Sequence, residues 1–213
     1  DILCGCGEWE QKGNPAGNFR RKRTSFLGVP DLTIVTPSRW LADEVKRSFL
    51  GGYPVKVIPN GIDLEQFKPT LGDFRRRYRL EGKRVLLGVS NVWEPRKGLP
   101  DFLELAKRLE PKDRIVLVGL TPRQLNGLPA NVLGLERTNI VQELAEIYTM
   151  ADVFVNLTHE DNFPTVNLEA LACGTPVVTH QVGGAAEMID SSCGIAVKPG
   201  VQDILNVLDK VRF

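Results

Sequence analysis

The chain has 213 residues, of which 27 are basic and 26 acidic, so its formal net charge is +1. Apolar residues make up 42% and charged residues 25%, values that are typical of globular proteins and exclude global disorder. The balanced charge argues against a dedicated nucleic-acid-binding protein, and no apolar run reaches the roughly 18–20 residues that span a membrane. Four cysteines are too few for a disulfide scaffold, which favours a reducing compartment.

Residues 1–30 show no persistent helical or strand period, and we predict that they are irregular. They contain Cys4, Cys6 and the basic run Arg20-Arg21-Lys22-Arg23. The two cysteines are spaced like half of a zinc site, but a second pair of ligands is missing. The chain begins at Asp1 without an initiator methionine, so we expect it to be part of a longer protein.

From residue 31 onward, short β-branched runs alternate with helical stretches. Several runs are continuously apolar, which is typical of strands buried inside a parallel sheet that helices cover on both faces. We predict strands at 32–38, 55–60, 84–90, 114–120, 132–135, 152–158 and 176–180. We predict helices at 38–49, 101–110, 141–150, 165–173 and 201–210, with Ser38 and Asp101 as N-caps. This alternation predicts a doubly wound α/β fold.

A turn signal at Asn60-Gly61 opens a stretch without periodicity that continues to Pro69, and we interpret it as a linker. Two strands and one helix before it are too little for an independent core. We therefore predict that residues 1–61 are the tail end of a preceding domain. Residues 62–213 are long enough to form a domain of their own.

The most informative stretch follows the strand that ends at Thr158. An acidic loop leads to Pro164, which occupies the first turn of a predicted helix. In open α/β sheets, ligands bind at the carboxyl ends of the strands. The free N–H groups of Thr165 and Val166 would point out of the helix N-terminus, where they suit an anion such as a diphosphate.

Two carboxylates, Asp161 and Glu169, flank this anion site. Carboxylates repel phosphate, but they accept hydrogen bonds from the hydroxyls of a ribose or a hexose. A ligand with both sugars and phosphates fits such a site, namely a sugar nucleotide. The alternative is that Glu169 caps a local group and that Asp161 is a solvated loop acid.

Two further loops follow strands at the same predicted edge. The segment Ser90–Gly98 carries Arg96 and Lys97, which would supply positive charge to a diphosphate, or which belong to an ordinary basic turn. The segment Val182–Glu187 is a glycine turn that we expect to enter a helix. It offers N–H groups to a ligand, or it is a tight strand-to-helix connection.

Taken together, the motifs resemble the retaining GT-B glycosyltransferases of family 4, from about residue 31 to residue 213. The loop Glu-Asp-Asn-Phe-Pro-Thr is similar to bacterial members that build capsular or exopolysaccharide, including colanic-acid-type transferases. The motifs that carry the resemblance are Val-Ile-Pro-Asn-Gly-Ile-Asp (57–63), Arg-Lys-Gly (96–98), the acid-x7-Glu pair at 161 and 169, and Ala-Leu-Ala-Cys-Gly-Thr-Pro-Val-Val (170–178).

The resemblance implies two Rossmann-like domains that face each other across a cleft, the first binding the acceptor and the second the nucleotide sugar. This chain would be the second domain with a remnant of the first, so we expect it to bind a donor without turning it over. The full enzyme would transfer a hexosyl group from a UDP- or GDP-linked sugar, with retention, to a saccharide or lipid-linked acceptor of bacterial surface polysaccharide synthesis. It would act in the cytoplasm, at the inner face of the membrane.

Two other kinds of function stay open at this point. One is another enzyme of the same architecture, such as a sugar-nucleotide 2-epimerase or a phosphorylase. The other is a non-catalytic nucleotide-binding module.

The resemblance also implies roles for the acids. Glu169 matches the family's second acid, which holds the ribose hydroxyls. Counting back eight places reaches Asp161, which occupies the first-acid position near the transferred sugar, and the adjacent Glu160 would share its task. Asn162, Phe163 and Pro164 take the place of the usual Gly-Phe-Gly loop under that sugar.

On the phosphate side, the amides of Thr165 and Val166 would contact the diphosphate, and Lys97 matches the phosphate-binding lysine. Asn91 stands where the family usually has an arginine, and Arg96 is the candidate to compensate for it. The chain has no Asp-x-Asp pair of the kind that holds a divalent cation, so we expect no metal and no other cofactor.

Two features have weaker implications. His159 lies at a strand end beside acids, where it would serve as a base or, alternatively, anchor the loop. The basic stretch Phe74–Leu80 and the run at 20–23 would touch anionic lipid in a peripheral membrane contact, or form solvated faces.

Overall fold

The computed structural model describes residues 14–138 and 140–211, which form two compact units on either side of a boundary between Ile58 and Pro59. This boundary lies inside the motif at 57–63, one residue before the predicted linker begins. Cys4 and Cys6, and with them the question of a zinc site, lie outside the described residues.

The described residues of the first unit form two helices and two short strands. Strands β1 and β2 pair in parallel, with Ile34 beside Val55. Ser38 is the N-cap of helix α2 as predicted, because its hydroxyl accepts a hydrogen bond from the Leu41 amide at 3.1 Å. The elements are α1 Pro15–Phe26, β1 Ile34–Thr36, α2 Arg39–Arg47 and β2 Val55–Val57.

Helix α1 corrects the prediction that residues 1–30 are irregular. Pro15 occupies its first turn, and the Asn14 side chain caps it by accepting from the Gly17 amide at 2.8 Å. The helix buries none of its residues, so it has no apolar stripe that a sequence pattern would reveal. The basic run 20–23 lies within it.

Among the described residues, the second unit holds a six-stranded sheet in the order β5-β4-β3-β6-β7-β8, and every pairing is parallel. Its elements are α3 Phe74–Arg77, β3 Arg84–Val89, α4 Leu99–Ala106, β4 Asp113–Val118, α5 Pro122–Leu125, β5 Val132–Leu135, α6 Val141–Met150, β6 Val153–Asn156, α7 Thr165–Ala172, β7 Val177–His180, β8 Gly194–Val197 and α8 Val201–Leu208.

The strand order reverses direction between β3 and β6. From β3 the chain proceeds to β4 and β5 on one side, and from β6 to β7 and β8 on the other. The connections leave a crevice at this switch point, outside the carboxyl ends of the two strands, where doubly wound sheets bind ligands. The predicted α/β fold class is confirmed.

Alternating residues of the sheet face two separate cores. On one face, Leu86 and its neighbours pack against Phe102 of α4 and Ile204 of α8. On the other face, Leu87 packs with Tyr148 of α6 and other side chains. Burying an aliphatic side chain of this size contributes about 1.5–3 kcal/mol, so both helical layers are needed to stabilise the central strands.

Three local predictions were wrong. Strand β8 was missed because Gly194–Val197 is a short run without an alternating pattern, at the edge of the sheet that the described residues form. Helix α4 begins at Leu99, with Gly98 as its N-cap, so Asp101 lies in the first turn instead of capping it. The glycine turn after β7 leads into consecutive turns at 183–188 and not into a helix.

The basic stretch around α3 is largely occupied by internal ion pairs. Arg76 and Arg77 both bond Asp73, at 3.0 and 2.6 Å, and the Arg75 guanidinium lies 2.7 Å from Asp152. Within the described part of the chain, no helix has the length and apolar character needed to cross a bilayer.

Candidate functional site

A cavity of about 360 Å³ lies at the carboxyl ends of β3 and β6, at the switch point of the sheet. Its walls come from the end of each strand, from the loop after β3 and from the loop and first turn after β6. The lining residues are Val89, Ser90, Asn91, Val92, Trp93, Glu94, Arg96, Lys97, Phe102, Val155, Asn156, Asp161, Phe163, Thr165 and Val166.

The structure brings most of the predicted site residues to this one cavity. Those that line it are Asn91, Arg96, Lys97, Asp161, Phe163, Thr165 and Val166. Those outside its lining are Glu160 and Asn162, which are exposed, Pro164, which is buried, and Glu169, which is half-buried. Of the two adjacent loop acids, Asp161 therefore faces the cavity.

Lys97 is positioned by a short 3₁₀ turn, Pro95–Lys97, that ends at Gly98. Gly98 has a φ of +79°, and a Cβ atom there would lie 2.2 Å from the Leu157 carbonyl oxygen. Only glycine allows the two loops to approach this closely. As a result, Lys97 Nζ reaches Asp161 Oδ2 at 2.5 Å, and both side chains are mostly buried.

Arg96 joins the two loops through its backbone, and its side chain pairs within its own loop. Its carbonyl oxygen accepts from the His159 amide at 2.8 Å and from the Thr158 hydroxyl at 3.2 Å. Its guanidinium bonds Glu94 at 2.8 Å, and about half of each of these side chains is exposed. Arg96 and Lys97, the two cations that line the cavity, are thus each paired with a carboxylate. An incoming anion would have to displace those carboxylates.

The first turn of α7 lines the same cavity through Thr165 and Val166. Pro164 is the N-cap, and the first amides of a helix have no acceptor inside the helix. The helix is held in place by Asn167, which is fully buried: it accepts from Asn156 at 2.8 Å and donates to the Ala185 carbonyl at 3.1 Å. Sequence reasoning missed this amide pair, whose only signal is two asparagines in apolar surroundings.

The glycine turn after β7 contacts the backbone of Asp161. The Gly184 amide donates to the Asp161 carbonyl at 3.0 Å. Gly183 has a φ of +53°, and a Cβ atom there would lie 2.1 Å from the same carbonyl oxygen. This segment therefore serves as a close connection that fixes the acidic loop.

Glu169 lies one turn inside α7, beside the fully buried Tyr148. The Tyr148 hydroxyl donates to Glu169 Oε2 at 2.8 Å. Burial raises the pKa of Glu169, and hydrogen bonds from Tyr148 and Thr165 oppose that rise. The carboxylate is thus held from inside the protein by the Tyr148 hydroxyl.

The two histidines anchor the acidic loop. His159 Nε2 lies 2.6 Å from Asp101 Oδ2, and His159 does not line the cavity. His180 is buried between the Thr158 carbonyl oxygen, 3.2 Å from its Nδ1, and the Gly200 amide, which donates to its Nε2 at 3.3 Å. Burial lowers the pKa of His180, so its neutral form is favoured.

A second cavity, of about 390 Å³, adjoins the first and shares Val89, Ser90 and Asn91 with it. Arg137, which follows β5, lines it together with the side chains of Ile140, Val141 and Leu144. Sequence reasoning missed this cavity. The position of Arg137, directly after a strand at the same edge of the sheet, was the available signal.

Among residues 14–138 and 140–211, no group of three or more His, Cys, Asp or Glu side chains is arranged to hold a metal ion. The expectation that the donor is bound without a metal stays a prediction.

The model of the family Glycosyl transferases group 1 matches residues 83–211. The chain is 37% identical to a D-inositol 3-phosphate glycosyltransferase of Geodermatophilus obscurus, over 70% of this chain and 36% of that protein. It is 34% identical to the enzyme of that name from Stackebrandtia nassauensis, over 74% and 40%. It is 27% identical to a sulfoquinovosyl transferase of Arabidopsis thaliana, over 85% and 37%.

Solved structures agree on the fold. Sucrose-phosphate synthase from Thermosynechococcus elongatus superposes with a TM-score of 0.78 at 22% identity, over 95% of this chain and 55% of that one. HepE from Anabaena, in complex with UDP-glucose, gives 0.72 at 23%, over 92% and 58%. The chain spans about two fifths of the length of the two inositol-phosphate enzymes that it matches. It belongs to the group 1 glycosyl transferase family and has the GT-B fold.

Proposed function

We propose that this chain is the donor-binding part of a retaining glycosyltransferase, which moves a hexosyl group from a nucleotide sugar to a saccharide or lipid-linked acceptor. The observation that carries the proposal is the convergence of Lys97, Asp161 and the first turn of α7 on one cavity at the switch point of the sheet. A cation, an acid and a helix N-terminus are the groups that a sugar diphosphate requires.

In this proposal the diphosphate lies across the first turn of α7. The amides of Thr165 and Val166 donate to it, and Lys97 leaves Asp161 to neutralise its charge. Arg96 supplies a second positive charge once it leaves Glu94. It thereby replaces the arginine that is absent at Asn91. The chain supplies no covalent chemistry here: it stabilises the leaving diphosphate while positive charge develops on the sugar carbon.

The remaining parts of the donor follow from this placement. The transferred sugar lies beside Asp161, with Glu160 next to it and with Asn162, Phe163 and Pro164 forming the loop beneath. Glu169 accepts from the ribose hydroxyls. The base enters the second cavity, whose Arg137 and aliphatic wall suit a planar aromatic ring.

The acceptor depends on the part of the protein that this chain lacks relative to its relatives. Surface polysaccharide, assembled at the inner face of the cytoplasmic membrane, is the destination suggested by the Glu-Asp-Asn-Phe-Pro-Thr loop. The names of the relatives point to other products, since two are inositol-phosphate enzymes and one transfers sulfoquinovose. The donor is UDP- or GDP-linked, and UDP has support from the complex of HepE.

Calorimetric titration of the chain with UDP, GDP and ADP tests the proposal. We expect one of them to bind, and we expect Lys97→Ala to weaken that binding about tenfold or more, because a charged hydrogen bond to phosphate is lost. Lys107→Ala is the matched control, since Lys107 is an exposed lysine that pairs with Glu104 and lies outside the cavity. Equal binding by the Lys97 and Lys107 variants would contradict the proposed site.

The type of reaction is tested on the full-length enzyme with the donor that binds. Product analysis with and without a sugar acceptor separates the candidates. Transfer requires the acceptor and releases the nucleoside diphosphate, whereas a sugar-nucleotide 2-epimerase changes the sugar without one. Epimerised sugar without any transfer would overturn the proposal.

A further inference from the structure

Tyr148 is the largest fully buried side chain of the described structure, yet it has a polar hydroxyl that must be satisfied. Its ring packs edge-on against Phe67 and Phe154, with ring centroids 6.2 and 5.5 Å away. Its hydroxyl donates to Glu169 Oε2 at 2.8 Å. A phenylalanine would fill the same apolar space, so the hydroxyl has a task other than packing.

The direction of this hydrogen bond is fixed. Burial and the neighbouring Glu169 carboxylate hold the pKa of Tyr148 well above its usual range, so the phenol keeps its proton and donates. Its acceptor is an oxygen of Glu169, and the carboxylate therefore keeps one side turned toward α6.

The hydrogen-bond capacity of Glu169 indicates what the oriented carboxylate can bind. An ionised carboxylate has about four acceptor positions. The Tyr148 hydroxyl occupies one of them. The positions that remain are enough for the two vicinal hydroxyls of a ribose. A carboxylate held by a donor from inside the protein is thus prepared to accept two donors from outside.

We propose that Tyr148 is a positioning residue for nucleotide recognition: its hydroxyl orients Glu169 so that the carboxylate accepts from both ribose hydroxyls. Tyr148 does not touch the ligand in this proposal and acts through Glu169. The inference rests on the proposed function, because it requires a nucleoside diphosphate in the site described above.

The test compares two ligands, UDP and 2′-deoxy-UDP, on three forms of the chain by calorimetry. If GDP or ADP binds more tightly than UDP, that nucleotide and its 2′-deoxy form are used instead. Tyr148→Phe removes the hydroxyl and keeps the ring. Thr175→Val is the matched control, since the buried Thr175 hydroxyl donates to the Tyr148 carbonyl oxygen at 2.6 Å and leaves Glu169 untouched. Thermal melts confirm that both variants are folded.

We expect the wild-type chain to prefer UDP over 2′-deoxy-UDP by about tenfold or more, as is typical of a hydrogen bond to a charged group. Thr175→Val should keep that preference, and Tyr148→Phe should reduce it to less than about threefold by weakening UDP alone. A merely structural role for Tyr148 would weaken both ligands equally and leave the preference unchanged.

The outcomes separate this inference from the function on which it rests. A folded Tyr148→Phe chain with the full preference for ribose would overturn the positioning role while leaving the donor site intact. Wild-type binding without any preference would also overturn it, because no ribose contact would exist to position. Absence of nucleotide binding by the wild-type chain would remove the proposed function, and this inference with it.

Discussion

Replacing Asp161 by asparagine should strengthen the binding of a nucleoside diphosphate. In the structure Lys97 Nζ lies 2.5 Å from Asp161 Oδ2, with 26% of the lysine side chain and 15% of the aspartate side chain exposed. A diphosphate must break this pair before it gains the lysine. Ion pairs that retain contact with solvent are worth about 0.2–1 kcal/mol, so removing the competitor raises affinity by about 1.4- to fivefold.

The assay is calorimetric titration with UDP, or with whichever nucleoside diphosphate binds, at low and high salt. Glu160→Gln is the control, since Glu160 is exposed, adjacent in sequence and outside the cavity lining. It should change the affinity by less than about twofold. The gain from Asp161→Asn should shrink as salt is added, because screening weakens a pair that is partly exposed. Weaker diphosphate binding by Asp161→Asn would refute the competition between the two anions.

Three further predictions concern stability. Burial raises the pKa of Glu169, so the ionisation of this side chain destabilises the fold at neutral pH. Glu169→Gln should therefore raise Tm at neutral pH, and this gain in Tm should vanish as the pH falls through the raised pKa. An equal gain at every pH would contradict this prediction. Gly98 has a φ of +79°, and the Cβ atom of Gly98→Ala would lie 2.2 Å from the Leu157 carbonyl oxygen. This variant should lose about 2 kcal/mol or more of unfolding free energy, measured in urea. Stability equal to that of the wild type would show that the loops separate freely. Asp113 is buried and bonds Arg84 at 2.7 Å, so Asp113→Ala should lose about 3 kcal/mol of unfolding free energy. Nucleotide binding should be unchanged in the same samples. Weakened binding would show that this part of the sheet affects the site.

The central strands were predictable because the property that identifies them lies in their own residues. Strand β3, at Arg84–Val89, is buried on both faces, and such a strand must be a continuous apolar run. Strand β8 and helix α1 lacked such a pattern. The first is a short edge strand, and the second buries none of its residues, so neither has an apolar period.

The candidate site was predictable to the extent that it follows strand ends. In a parallel sheet, loops after neighbouring strands meet at one edge, and this rule brought Lys97 and Asp161 to one cavity. The rule does not say which side chains pair. The bond between Tyr148 and Glu169 joins two helices and depends on how α6 packs against α7. Such a contact is a property of the packed fold, so a pattern along the sequence does not contain it.

The most direct measurement is a crystal structure of this chain with the nucleoside diphosphate that binds it. We expect phosphate oxygens within about 2.7–3.2 Å of Lys97 Nζ and of the Thr165 and Val166 amides, with the ribose beside Glu169. A nucleotide bound at another face of the sheet, or bound here with Lys97 still paired to Asp161, would contradict this expectation.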